Sequence, residues 1–147
     1  PGHADAVIVL SFDIDDMTGE EVGVAAERLR AAEGVLDLSI GSRQGKKGRP
    51  LTDLRLLIRP DALAAVSRLC FLETSTIGLR WRREQRFCLA RSTESCEVEG
   101  ETLRRKRSAR PDGRPALKIE SDDLARFDGL TNRRAMKFRG EQGQEDS

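Results

Sequence analysis

Tyrosine is missing from this chain of 147 residues, histidine occurs once, and five Phe and one Trp are its only aromatics. The single His3 lies beside the terminus, where it reads as an end residue and not as a ligand. With one His and scattered thiols, neither Ser-His nor Cys-His nucleophilic machinery nor a soft-metal site can be assembled. Cys70, Cys88 and Cys96 form no CxxC pair, which removes a structural zinc site and a disulfide framework. Their neighbours Leu69, Phe71, Phe87 and Leu89 are apolar, as expected of inert core thiols in a reducing compartment. No apolar run approaches the roughly 20 residues that span a bilayer. The start, "PGHADAVIVL", lacks the basic lead and cleavage site of a signal peptide, so a cytoplasmic protein is expected. It also lacks an initiator Met, which points to a fragment or a processed chain. A P-loop is excluded, because GxxxxGK[ST] occurs nowhere.

Charge, by contrast, is plentiful: 35% of residues are Asp, Glu, Lys or Arg, with a net charge of only +1. The sum hides an asymmetry. Residues 1–42 hold nine acids against Arg28 and Arg30, whereas residues 79–114 hold eleven bases against six acids. Such a split suggests an internal electrostatic match or an anionic ligand in place of bulk nucleic-acid binding.

The pattern of elements predicts an α+β fold. Ala6–Leu10 is a short, β-branched apolar run and reads as a buried strand. Thr18–Gly34 reads as a helix, with Thr18 and Glu21 at capping-box spacing and Gly34 as its stop. "VLDLSI" (35–40) is a half-buried strand with Leu36, Leu38 and Ile40 inward, "TDLRLLIRP" (52–60) another strand, and "DALAAVSRLCFLETS" (61–75) a second helix started by Pro60. "GLRWRREQRFCLAR" (78–91) is extended. The order β-α-β-β-α-β is that of a ferredoxin-like unit, expected over residues 1–92. A smaller subdomain, 93–138, holds a hairpin turning near Gly100, a strand "ALKIE" and one helical segment from Ser121 to Phe138; residues 139–147 are expected to form a disordered tail.

Three clusters carry chemistry. "FDIDDMTGEE" places Asp13, Asp15 and Asp16 where a strand gives way to a helix. Carboxylates crowded in this way are relieved either by the helix N-terminus or by a hard cation such as Mg²⁺ or Mn²⁺. "RQGKKGRP" gathers Arg43, Lys46, Lys47 and Arg49 on a glycine-bearing loop, either simply solvated or visited by an anion. "ETSTIGLRWRR" brings Thr74, Ser75, Thr76 and Arg80, an ordinary turn or a further set of phosphate contacts. "LRRKRSAR" (103–110) is basic but has no aromatics to stack on bases, which favours a solvated strand face over RNA contact.

Taken in order, Asp15-Asp16-Met17, Lys46-Lys47-Gly48-Arg49-Pro50, Glu73 to Arg80 and Arg86 to Arg91 resemble the C-terminal domain of the LarC family, the nickel insertion proteins of nickel-pincer cofactor biosynthesis. The likeness covers nearly the whole chain. It departs at Leu51, where the family commonly has Gly, and at Ile119 and Ser121, where Pro and Tyr are usual. The resemblance implies part of a CTP-dependent nickel chelatase or cyclometallase, a lyase. That enzyme builds nickel–carbon and nickel–sulfur bonds in pyridinium-3,5-bisthiocarboxylic acid mononucleotide. CTP would bind with Mg²⁺ or Mn²⁺, nickel would be the substrate metal of the full-length protein, and the domain would form a homo-oligomer. On this reading Asp13, Asp15 and Asp16 lie by the cation, Lys46, Lys47 and Arg49 meet phosphates, and Thr74, Thr76 and Arg80 complete the pocket; no catalytic residue is identified. The family's His-rich nickel-binding region lies outside this chain, so a partner or missing domain would carry it. Two alternatives remain: a non-catalytic oligomerisation or small-ligand module, and an RNA-binding domain resting on "LRRKRSAR".

Overall fold

The computed structural model describes residues 3–142. The chain forms two compact units, one of Ala4–Arg86 and a second that begins at Phe87.

In the first unit, β1 (His3–Ile14), α1 (Gly19–Ala31), β2 (Val35–Gln44), β3 (Pro50–Ile58), α2 (Leu63–Glu73) and β4 (Arg80–Cys88) follow one another in the expected order. The four strands lie side by side as β2-β3-β1-β4. β3 runs antiparallel to both neighbours, with Phe12 opposite Leu54 and Ile40 opposite Leu54 on the other side. Arg80 meets Asp13 and Arg86 meets Asp5, so β4 is also antiparallel to β1. The period of two along each strand then sorts the side chains. Ile8, Leu10, Phe12 and Ile14 of β1 and Leu54, Leu56 and Ile58 of β3 pack under Ala26 and Leu29 of α1 and Val66 and Cys70 of α2. Each large side chain sealed in this layer contributes about 1.5–3 kcal/mol. Burial also pushes the Cys70 thiol up to about 11, so it is a core residue and no nucleophile.

The expected cap of α1 is present. The Thr18 side chain accepts from Glu21 N, and the Glu21 carboxylate accepts from Thr18 N at 2.9 Å. Hydrogen bonds from Thr18 lower the Glu21 pKa. The second strand differs from its reading: Leu38 is buried, but Leu36 and Ile40 are exposed. A register shift between Val35 and Asp37 takes Leu36 out of line, and β2 is an edge strand whose margin α1 leaves open at Ile40.

The second unit is a three-stranded antiparallel sheet, β5 (Arg91–Val98), β6 (Glu101–Ala109) and β7 (Pro115–Ile119), with α3 (Ser121–Leu124) and α4 (Leu130–Glu141). Val98, Leu103, Ile119, Leu124 and Met136 form its core. The β5–β6 hairpin turns through Glu99 and Gly100, both at positive φ, as a two-residue loop of type I′ requires. The single helical segment expected from Ser121 is in fact two helices separated by residues 125–129, the last of them Gly129 with φ of 78°. α4 also continues past Phe138 to Glu141, because Gly140 packs against Ile119 and its carbonyl accepts from Arg105 at 3.0 Å. Residues 143–147, the rest of the expected tail, lie outside the described residues. Among the described residues, no helix is long and apolar enough to cross a membrane.

Two outcomes follow from this packing. Gly34 sits at φ +85°, and a Cβ there would come within 2.3 Å of Ala62 Cβ. Gly34→Ala should therefore destabilise the first unit by about 2 kcal/mol or more, read by denaturant unfolding of Trp81 fluorescence. In the second unit, the Arg104 guanidinium and backbone N–H hold the Asp123 carboxyl down to about 2, from 3.8. A carboxylate with a lowered native pKa stabilises the fold above its unfolded value and ceases to as the pH falls through the native one. Acid should weaken this unit between those two values, and Asp123→Asn should remove that part of the pH dependence, followed through the β6 amides by NMR.

Candidate functional site

Backbone register decides where the singled-out residues meet. Ile14 at the end of β1 stands opposite Thr52 near the start of β3, and Gln44 at the end of β2 opposite Pro50. Arg80, the first residue of β4, reaches Asp13. The β1–α1 turn with Asp15 and Asp16, the β2–β3 loop with Lys46, Lys47 and Arg49, and the α2–β4 loop with Thr74 and Thr76 therefore share one end of the sheet.

Within that end the contacts are uneven. Asp13 lies on the sheet face away from the helices, directly across from Asp53. Like charges so placed repel, and each has its own guanidinium: Arg80 at 3.4 Å from Asp13 and Arg43 at 3.0 Å from Asp53. Asp16 turns the other way and is joined to the α2–β4 loop by a short hydrogen bond from Ser75 Oγ, while Ser75 N donates to Met17 Sδ at 3.4 Å. Asp15 is exposed. Thr74 Oγ1 donates to the Cys70 carbonyl at 2.7 Å and Thr76 Oγ1 to the Gly78 carbonyl at 2.8 Å, so both brace their own loop. Glu73 ties α2 to Arg28 of α1 at 3.1 Å.

The basic loop is a one-turn 3₁₀ segment, Lys46–Gly48, with Lys47 and Gly48 at positive φ. Gly45 N donates to the Arg49 carbonyl at 2.7 Å and closes the loop, and Leu51 packs against Gly45. Lys46, Lys47 and Arg49 are exposed, and among the described residues none of the three forms an ion pair.

Among the described residues, no three His, Cys, Asp or Glu side chains converge as a metal-holding group. The donors at this end are carboxylate and hydroxyl oxygens, which suit a hard cation whose remaining ligands are phosphate oxygens and water. Sequence reasoning passed over Arg43 and Asp53 as a pair, and read Ser75 as one of three loop hydroxyls open to phosphate and not as the partner of Asp16. Their significance comes from cross-strand and cross-loop proximity, for which the linear pattern holds no signal.

The basic run on β6 has a different fate. Arg104 pairs with Asp123 at 2.7 Å, Arg105 and Arg107 with Glu94 at 2.9 and 3.3 Å, and Lys106 with Glu120 at 2.7 Å. Four of its five bases are matched by acids of the same unit, which leaves little of the field an RNA backbone would need.

The profile of the family described as nickel insertion protein matches residues 1–134. The chain belongs to the nickel insertion protein family. Relatives named for nickel insertion include one from Rhodopirellula baltica, 34% identical over 95% of this chain, and one from Synechococcus elongatus, 34% identical over 83%. The chain spans 35% and 30% of those two proteins, about a third of their length. Among solved structures it is similar to LarC2, the C-terminal domain of a cyclometallase involved in the synthesis of the NPN cofactor of lactate racemase, in its apo form. The TM-score is 0.78 at 29% identity, covering 93% of this chain and 92% of that one. A protein from Methanopyrus kandleri AV19 shares the fold with a TM-score of 0.67 at 22% identity. The mixed α/β fold with antiparallel sheets is thus a feature this family member has in common with LarC2.

The Arg80–Asp13 pair is solvent-exposed, and such pairs contribute about 0–1 kcal/mol. Arg80→Gln should accordingly keep its unfolding free energy within about 1 kcal/mol of the parent by urea titration. Any ligand lost by that variant is then lost at the site itself.

Proposed function

We propose that this chain is the C-terminal, nucleotide-binding part of a cytoplasmic nickel insertion protein that makes the nickel-pincer nucleotide cofactor. The reading rests on one observation: three loops, one acidic, one basic and one hydroxyl-bearing, lie at the same end of a sheet in a member of the nickel insertion family. CTP bound with Mg²⁺ or Mn²⁺ is the ligand this charge pattern suits best. Lys46, Lys47 and Arg49 would neutralise the triphosphate, which a flexible pair of ammonium groups and a guanidinium can do without rigid geometry. Of the three aspartates expected by the cation, exposed Asp15 would face it, while Asp13 is held by Arg80 and Asp16 by Ser75 on either side; the cation would supply Lewis-acid polarisation of the phosphates when bound. Thr74 and Thr76, which brace the α2–β4 loop, would set its position beside Arg80.

The nickel to be inserted and its acceptor, pyridinium-3,5-bisthiocarboxylic acid mononucleotide, are substrates of the longer protein. A part that carries nickel-binding histidines would have to come from a preceding domain or a partner. As a cyclometallase such an assembly is a lyase, and a homo-oligomer is its expected form. A second reading, a non-catalytic oligomerisation module, is favoured by the exposed Leu72, Ile77 and Trp81.

Calorimetric titration with CTP separates the two. The expected result is binding that requires Mn²⁺, disappears with EDTA, exceeds that of ATP, and weakens about tenfold or more in Lys46→Ala and Asp15→Ala. A folded protein that takes up no CTP with the cation present would leave the oligomerisation reading.

A further inference from the structure

The sheet face away from the helices holds a second concentration of guanidinium groups that the nucleotide reading does not use. Arg55 stands at its middle, on β3, with Ser11 of β1 opposite on one side and Ser39 of β2 on the other. Two adjoining clefts meet at this residue. One, of about 240 Å³, includes Asp13, Asp53, Arg43 and Arg80; the other, of about 120 Å³, includes Val9, Asp37 and Glu84. Arg55 and Arg82 line both.

Over the two clefts together four guanidiniums stand against four carboxylates, but their pairing leaves one guanidinium over. In the larger cleft four guanidiniums face two carboxylates, and the two carboxylates are taken by Arg43 and Arg80. Arg82 is held toward Glu84 at 2.5 Å. Arg55, among the described residues, has no ion-pair or hydrogen-bond partner for its side chain. Val9 is only 2% exposed although it points to this helix-free face and lines the same cleft as Arg55 and Arg82. The long stems of those arginines therefore lie along an apolar floor, which limits the freedom of the heads before any ligand arrives.

We infer that this face binds a compact oxyanion of the phosphomonoester class, held by Arg55 between the two serine hydroxyls and flanked by Arg82 and Arg80. A guanidinium presents paired N–H donors that match phosphate oxygens, and among the described residues Arg55 is the one arginine of the two clefts without a carboxylate partner. Size and sign exclude a polyanion. Asp13 and Asp53 stand beyond Arg55 at one end and Asp37 and Glu84 at the other, so an extended nucleic-acid strand would have to cross carboxylates on both sides. The inference goes beyond the CTP reading and shares only Asp13 and Arg80 with it.

The test is a titration of the whole chain with inorganic phosphate and with methyl phosphate, without nucleotide or divalent cation, followed by calorimetry and by the arginine Nε–H signals. Saturable binding is expected, weakened roughly tenfold in Arg55→Gln and unchanged in Arg30→Gln, a control on α1. Arg55 is exposed, so its variant should fold, and the melting curve checks this. Non-saturable uptake, or saturable binding that Arg55→Gln leaves intact, overturns the inference. So does displacement of phosphate by an RNA oligonucleotide with steep salt dependence, which would make the face a polyanion surface. Because no CTP is present, failure of the nucleotide reading does not affect this result.

Discussion

The alternation of β1 is the constraint on which the molecule turns. Ile8, Leu10, Phe12 and Ile14 are sealed beneath two helices, and the residues between them are turned to the opposite face by the pleat alone. Asp13 cannot leave its position beside Arg80 without dragging Phe12 and Ile14 out of the core. A slip of one residue would exchange the two sets completely. Core and charged face are thus two readings of a single strand, and the free energy that orders the first also orders the second.

What precedes and follows that strand was legible to different degrees. The capping box at Thr18 and Glu21, the order of strands and helices in the first unit, and the turn at Gly100 all depend on neighbours a few residues apart, where spacing carries physical meaning. The break between the two helices was missed because helix-compatible residues run through 125–128; the first helix ends at Leu124, and Gly129 at positive φ precedes the second. Leu36 and Ile40 read as inward because alternation was assumed to hold through an edge strand that contains a bulge.

For the candidate site, residue types were visible and partnerships were not. Three aspartates in four residues suggested a single cluster. The fold sends Asp13 to one face of the sheet and Asp16 to Ser75 of another loop, because the strand ends between them. Arg43 and Asp53 lie ten positions apart in sequence and become neighbours through the β2–β3 turn. The basic stretch on β6 read as a solvated strand face and is an internal lattice of ion pairs with Glu94, Glu120 and Asp123. Sequence shows which charges a chain holds, whereas long-range pairing decides which of them are spent at home.

The tight approach of Gly34 to Ala62 has a meaning for how this fold can change. At that end the α1–β2 junction is pressed onto the β3–α2 junction, with Arg59 N donating to the Gly34 carbonyl at 2.8 Å and the Arg59 side chain reaching Glu33 and Asp61. Chain entry and exit are welded there. The other end carries three connections whose lengths the weld does not dictate, so new loops could be grafted onto it while the sheet stays in register. A scaffold with one fixed rim and one open rim can acquire a different ligand without acquiring a different fold.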